Sequence, residues 1–414
     1  TTVYPQQNFH VPVELRPKPE LIEATAKALL EAKMPMICAG AEVTRSGAND
    51  ALGELAELLG APVAQGFGVY GDFPFRHPLF AGYYGLGVPR GLGKTDVFLN
   101  LGAPAPDPGL FTAPVPSRAK NIHARIEYET IANTYPTDIA IAAGMGETIS
   151  ELNDALKSMA TASSLQRLAE PRLAAAREDQ KKRDDLRQKA GREHWNASPL
   201  SWERLSWELD EALEDDASIL AELDYRTPFE WMDLGPQRKW LIGQTTGFAL
   251  GWSLGAAMGA KVAQPDRQVA CLVGDGALLF GQIEALWTAS RYDIPTLIVV
   301  FNNRSYDNER NRIQDRSPLM RNAETRDQWK DITCWLGDPV VDFAGLARSF
   351  GIEAATVSEP DELRRALDRA RGVMREGRPF VLDAVITQLD RKGQRTEQTW
   401  YPDISIAAER TRMV

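Results

Sequence analysis

Two short polar clusters carry the residue types that could hold a metal-bound phosphate. Gly274-Asp275-Gly276 ends the apolar run 269–273, and Asn302-Asn303 ends a second apolar run, 298–301; twenty-five residues separate Gly276 from Asn302. Glycines on both sides of Asp275 allow a sharp turn and a close backbone approach to a ligand. A helix beginning there would aim free N–H groups and its positive dipole end at an anion. Mg²⁺ takes six oxygen ligands and keeps several of them as water or phosphate. The carboxylate of Asp275, the amide oxygen of Asn303 and the main-chain carbonyl of Ser305 would fill the protein's share, and a diphosphate would supply the rest.

Such a site needs two neighbouring parallel strands, because only then do both clusters emerge at carboxyl ends, where open α/β sheets bind ligands. The interval between them predicts strand, helix over 281–292, strand. On that helix Ile283, Leu286 and Trp287 have the spacing of a core face, so Trp287 is expected to pack. Further strands are expected near 34–39, 61–64, 96–101, 121–126, 138–143 and 380–386, with helices near 51–59 and 361–376, the latter closed by Gly377 before Pro379. The alternation predicts an α/β fold: two doubly wound parallel-sheet domains joined by a charged helical linker. The expected boundaries are a connector at 1–17, a Rossmann-like middle domain at 18–160, the helical linker at 161–198, a diphosphate- and Mg-binding domain at 199–390, and a tail at 391–414.

Composition narrows the partners. The chain has 414 residues, 43% hydrophobic, enough for two or three cores. Its formal charge of −10 argues against nucleic acid or an anionic membrane surface as a partner. No apolar run approaches the roughly 20 residues that span a bilayer. Cys38, Cys271 and Cys334 lie far apart, two of them in apolar runs, and read as inert buried thiols of a reducing, cytoplasmic protein.

Gly-Asp-Gly joined to Asn-Asn after one such interval resembles the signature of thiamine diphosphate (ThDP) enzymes. The segment 247–260, Gly-Phe-Ala-Leu-Gly-Trp-Ser-Leu-Gly-Ala-Ala-Met-Gly-Ala, followed by Ala263-Gln264-Pro265-Asp266-Arg267, resembles what precedes Gly-Asp-Gly in acetolactate synthase and benzoylformate decarboxylase. Leu286-Trp287-Thr288-Ala289 with Tyr292 and Ile294-Pro295-Thr296 is also similar to the latter. Residues 18–160, with Phe73-Pro74 and His77-Pro78-Leu79, resemble the same family's middle domain, and His77 reads as structural there. Gly85-Leu86-Gly87 and Gly91-Leu92-Gly93-Lys94 follow no strand as a dinucleotide fingerprint would, so that domain is assigned no nucleotide.

The resemblance implies ThDP and Mg²⁺ as cofactors, with Asp275, Asn303 and Ser305 as metal ligands. It places Gly274, Gly276, Ala277 and Tyr306 around the diphosphate, Tyr225 as a hydroxyl contact, the Phe248 carbonyl on the aminopyrimidine, and Leu250 as the apolar wedge that bends the cofactor. It further implies carbon–carbon bond cleavage or formation on a 2-oxo acid or 2-hydroxy ketone, by decarboxylation or carboligation. A 2-hydroxyacyl-CoA lyase and a noncatalytic ThDP-holding subunit are the alternatives. The family's activating glutamate belongs to an amino-terminal pyrimidine-binding domain, and Tyr4-Pro5 and His10-Val11-Pro12 resemble the connector that follows it. No catalytic residue is therefore nominated in this chain, and the missing domain is expected on a separate or cleaved chain, within a homo- or hetero-oligomer, dimer or tetramer. The four histidines lie at 10, 77, 123 and 194, and Gly102 to Pro108 has none where benzoylformate decarboxylase carries one, so benzoylformate is not the expected substrate among small molecules. The charged run 304–312 reads as a solvated helix.

Overall fold

The computed structural model describes residues 5, 14–66, 70–84, 88–105, 115–223, 228–243, 249–281, 283–316, 334–337 and 339–388. The chain divides into two compact units, Thr1–Asp184 and Asp185–Val414. Each holds one six-stranded, all-parallel sheet.

In the first unit the strands are β1 (Pro35–Ala39), β2 (Val63–Gln65), β3 (Phe80–Tyr83), β4 (Val97–Leu101), β5 (Lys120–Arg125) and β6 (Ile139–Ala142), in the order β3-β2-β1-β4-β5-β6. The order reverses between β1 and β4, the kind of crevice at which doubly wound sheets take ligands. Helix Pro19–Glu31 packs on Met145–Met159, which also meets Asn49–Leu59. Each presents an apolar stripe, for example Leu52, Leu55, Ala56 and Leu59. A separate cluster of Met36, Cys38, Ala64, Tyr84 and Phe98 fills the sheet's other face.

In the second unit the strands are β7 (Ser218–Glu222), β8 (Trp240–Ile242), β9 (Val269–Gly274), β10 (Leu297–Asn302), β11 (Glu353–Val357) and β12 (Phe380–Val385), ordered β11-β12-β10-β9-β7-β8. Here the reversal lies between β7 and β9. Strand β10 is buried along its whole length, as expected of a parallel strand covered on both faces. Its alternate residues Ile298 and Val300 join Cys271, Val273, Leu254, Leu286 and Phe343 in one core. Phe301 points the other way, toward Trp202 on helix Trp202–Ala212, with ring centroids 5.5 Å apart. The register Phe301↔Gly274 brings the ends of β9 and β10 side by side.

The 33-residue helix Ala162–His194 realises the charged helical segment. Its polar faces carry pairs such as Lys182–Glu178 and Arg183–Asp179. The expected helix at 361–376 is Pro360–Arg375, ended by Gly377 with φ +81°. All three cysteines are buried and none forms a disulfide among the described residues, and burial pushes the thiols of Cys38 and Cys271 up to about 12, which keeps them unreactive. Among the described residues no helix is long and apolar enough to cross a membrane.

Two sequence expectations need correcting. The helix expected over 281–292 is shorter, Ala285–Arg291, and a separate short helix, Asp275–Phe280, precedes it. The break sits at Gly281, extended at φ −132°, where the chain crosses Gly251 so closely that a Cβ on either residue would overlap the other's backbone. Trp287 does not pack: it is 54% exposed while Leu286 is buried, because the shortened helix turns Leu286 and Ala289 inward and leaves Trp287 outside.

Candidate active site

Asp275 is the first residue of helix Asp275–Phe280, directly after β9. Its Oδ1 accepts the Gly276 N–H at 2.8 Å, while Oδ2 is buried with no hydrogen-bond partner among the described residues. Burial pushes the carboxyl up to about 7, against the pull of the backbone N–H groups of Gly276, Arg304 and Ser305, with Asp307 adding repulsion. A buried carboxylate oxygen without a donor is costly unless a proton or a cation satisfies it. The helix has six residues, so an anion here would be held by the free N–H groups of its first turn more than by a long macrodipole. Gly276 is required for close packing, since a Cβ there would overlap the ring of Tyr306. Burial, with the repulsion of Asp275 behind it, raises the Tyr306 phenol above its ordinary range.

Beside Asp275, β10 ends in a tight turn. Asn303 Oδ1 accepts the Ser305 N–H at 2.9 Å, and Arg304 takes the left-handed conformation at φ +56°. Asn302, Asn303 and Ser305 are all buried. Residues 334–336 pair with the turn through Tyr306 N–H to the Cys334 carbonyl, 2.8 Å, and Leu336 N–H to the Arg304 carbonyl, 2.7 Å. Neither bond uses the Ser305 carbonyl. The Ser305 hydroxyl, like Asp275 Oδ2, is buried without a partner among the described residues. Asp275, Asn303 and Ser305, chosen from sequence as metal ligands, thus come together, and Gly274, Gly276, Ala277 and Tyr306 surround them.

Leu250 lies just before Gly251 and is 45% exposed, so it is not core packing. Tyr225 and Phe248 fall outside the described residues. The charged run after Asn303 forms helix Asp307–Arg316, but Arg310 and Asp307 pair in a nearly buried geometry, N–O 3.0 Å, rather than as a wholly solvated face. His77 is held structurally: its ring meets Phe73 edge-on, Nε2 lies 3.3 Å from Glu57, and Nδ1 accepts the Leu79 N–H. His123 is buried with Nε2 on the Ala103 carbonyl, and burial lowers its pKa.

Two supporting residues escaped the sequence reading. Glu222, buried at the end of β7, accepts the N–H of Gly251 at 2.5 Å and of Ser253 at 3.0 Å, fixing the turn that carries Leu250. Asp383, buried in β12, accepts the Asn302 amide at 2.9 Å. An acidic residue inside or ending an apolar strand is the one signal that marks either.

The donor set suits a hard cation bridged to a phosphate: one carboxylate, amide and carbonyl oxygens, and first-turn N–H groups nearby. Among the described residues no group of three His, Cys, Asp or Glu side chains could hold a metal by itself.

Comparison with known proteins adds the following. The family described as thiamine pyrophosphate enzyme, C-terminal TPP binding domain, matches residues 228–384, and that described as thiamine pyrophosphate enzyme, central domain, matches residues 22–152. A sulfoacetaldehyde acetyltransferase of Roseovarius nubinhibens is 29% identical over 397 residues, covering 89% of this chain and 62% of that protein. A probable acetolactate synthase large subunit of Methanocaldococcus jannaschii is 28% identical over 392 residues, covering 89% of this chain and 60% of that protein. The chain thus spans about three fifths of the curated relatives it matches. In fold it is similar to a solved ThDP-dependent 4-hydroxybenzoylformate decarboxylase from Rhodococcus jostii, with a TM-score of 0.71 at 24% identity, covering 94% of this chain and 67% of that one.

Proposed function

Because the chain belongs to the thiamine pyrophosphate enzyme family and carries its central and C-terminal TPP-binding domains, we propose that it supplies the diphosphate and Mg²⁺ half of a ThDP site. The observation that carries this reading is the buried, partnerless Oδ2 of Asp275 beside the Asn303–Ser305 turn. Asp275, the Asn303 amide oxygen and the Ser305 carbonyl would hold Mg²⁺. Backbone at Gly274, Gly276 and Ala277 would receive the diphosphate, with Tyr306 packed against Gly276. Leu250 would support the cofactor from the turn that Glu222 clamps, and Phe248 and Tyr225 are proposed as its further contacts.

ThDP, when bound, supplies a carbon nucleophile for making or breaking carbon–carbon bonds beside a carbonyl. This chain's residues would anchor its charged end. The reaction we propose is decarboxylation or carboligation of a 2-oxo acid or 2-hydroxy ketone, a lyase or transferase activity. Its support is that relatives bear the names acetolactate synthase and sulfoacetaldehyde acetyltransferase. The complete site is proposed to need a pyrimidine-binding domain, on this polypeptide or another, within an oligomer in the cytoplasm.

The test is consumption of a panel of 2-oxo acids by the complete protein, read as CO₂ release and condensation product. Turnover that requires both ThDP and Mg²⁺ and vanishes in Asp275→Ala is expected. Turnover independent of ThDP would refute the reading.

A further inference from the structure

Asp383 sits within the second sheet, on β12, between β10 and β11. A carboxylate there is expensive to bury, and burial raises its pKa above the ordinary range. Two donors meet it: the Asn302 amide on Oδ1 at 2.9 Å and the Thr356 hydroxyl on Oδ2 at 3.3 Å. Asn302 is thereby fixed in one orientation, with its Nδ2 on Asp383 and its Oδ1 accepting the Arg304 N–H at 3.2 Å. That second bond helps hold Arg304 in the left-handed conformation, which costs a non-glycine residue of order 1 kcal/mol or more. Arg304 lies between Asn303 and Ser305, so its backbone angles decide where those two oxygens point.

We infer that Asp383 is a positioning residue for the metal site, acting through the Asn302 amide to set the Asn303–Arg304–Ser305 turn against Asp275. It touches no ligand itself. Gln388, whose Nε2 reaches the Asn303 carbonyl at 3.3 Å, steadies the same turn independently. The first asparagine of the pair is on this account a lever, and the second the ligand.

The inference rests on the Mg²⁺–ThDP reading above, and one titration separates the two. Mg²⁺ affinity is measured calorimetrically in the complete protein at saturating ThDP, with Mn²⁺ paramagnetic resonance as a spectroscopic readout of the ion's ligand field. Asp383→Ala is expected to weaken Mg²⁺ binding at least tenfold and alter the Mn²⁺ spectrum. Asp383→Asn, which keeps an acceptor for Asn302 and can donate to Thr356, should recover affinity to within about threefold of the parent. Asn302→Ala should match Asp383→Ala, and the double variant should lose no more than either alone. If Asp383→Ala does not fold, Asp383→Asn and Asn302→Ala carry the test. Parent-like Mg²⁺ affinity in any folded Asp383→Ala or Asn302→Ala protein overturns the inference. A parent protein that binds no Mg²⁺ with ThDP overturns the underlying reading instead.

Discussion

At the reversal point of the first sheet, between β1 and β4, Glu42 and Arg125 form a buried ion pair, N–O 3.0 Å, and every remaining demand is met nearby: Glu42 also accepts the Ile126 N–H, while Arg125 reaches Thr130 and Glu127. Gly40 there lies so close to Ala103 that a Cβ would overlap its backbone. At the reversal point of the second sheet, between β7 and β9, Glu222 is likewise satisfied, by two backbone N–H groups, but Asp275 keeps a buried oxygen with no donor. The same topology thus yields, among the described residues, one crevice whose charges are matched internally and one in which a buried carboxylate oxygen has no hydrogen-bond donor. Fold class places a crevice; residual polar demand marks the one we propose as the ligand site.

The contrast can be broken most severely at Glu42. Glu42→Ala leaves Arg125 buried without its main partner and should cost about 3 kcal/mol in the unfolding of the first unit, measured by urea denaturation, with ThDP affinity of the folded protein unchanged. A loss of ThDP affinity with unchanged stability would assign the first crevice a cofactor role.

Next in size is a pH effect confined to the first unit. Asp72 is wholly buried, bonded to Thr44 and Gln65, and burial pushes its carboxyl up to about 6. Its folded pKa lies above the unfolded value near 3.9. The folded state therefore binds the proton more tightly, so stability is fully present below about pH 4 and is lost as pH rises through 6. The loss should total roughly 3 kcal/mol. Unfolding free energies of the first unit, collected from pH 4 to 7, should show this slope in the parent and a flattened one in Asp72→Asn.

Smaller effects sharpen the second crevice. Gly276→Ala must displace Tyr306 and should weaken ThDP binding by about tenfold, with little change in the first unit's unfolding. Leu250→Ala should alter stability by no more than ~0.5 kcal/mol, because the residue is 45% exposed, yet lower turnover under saturating ThDP. Equal turnover would remove Leu250 from the cofactor's supports.

Legibility in the sequence followed the range of the interactions involved. The residues proposed to hold the metal could be singled out because β9 and β10 are long apolar runs and the twenty-five-residue interval between Gly276 and Asn302 fits one crossover. Strands β3, β7, β8 and β11 were not marked by the sequence, and length is not the reason, since β1, β2 and β6 are as short. Glu222 serves Gly251 across 29 residues and Asp383 serves Asn302 across 81, so no local window links them. The break at Gly281 arises from its close approach to Gly251, 30 residues away in sequence. Local periodicity reported which segments are buried, while the satisfaction of buried charge became visible only once strands were neighbours.

The most direct test of the second crevice is calorimetric titration of ThDP into the complete protein, with Mg²⁺ and with chelator, in the parent and in Asp275→Ala. Saturable binding that requires Mg²⁺ in the parent, and is lost in a folded Asp275→Ala protein, is the predicted result. Equal ThDP affinity in the two proteins, or in the parent with and without Mg²⁺, would contradict the account.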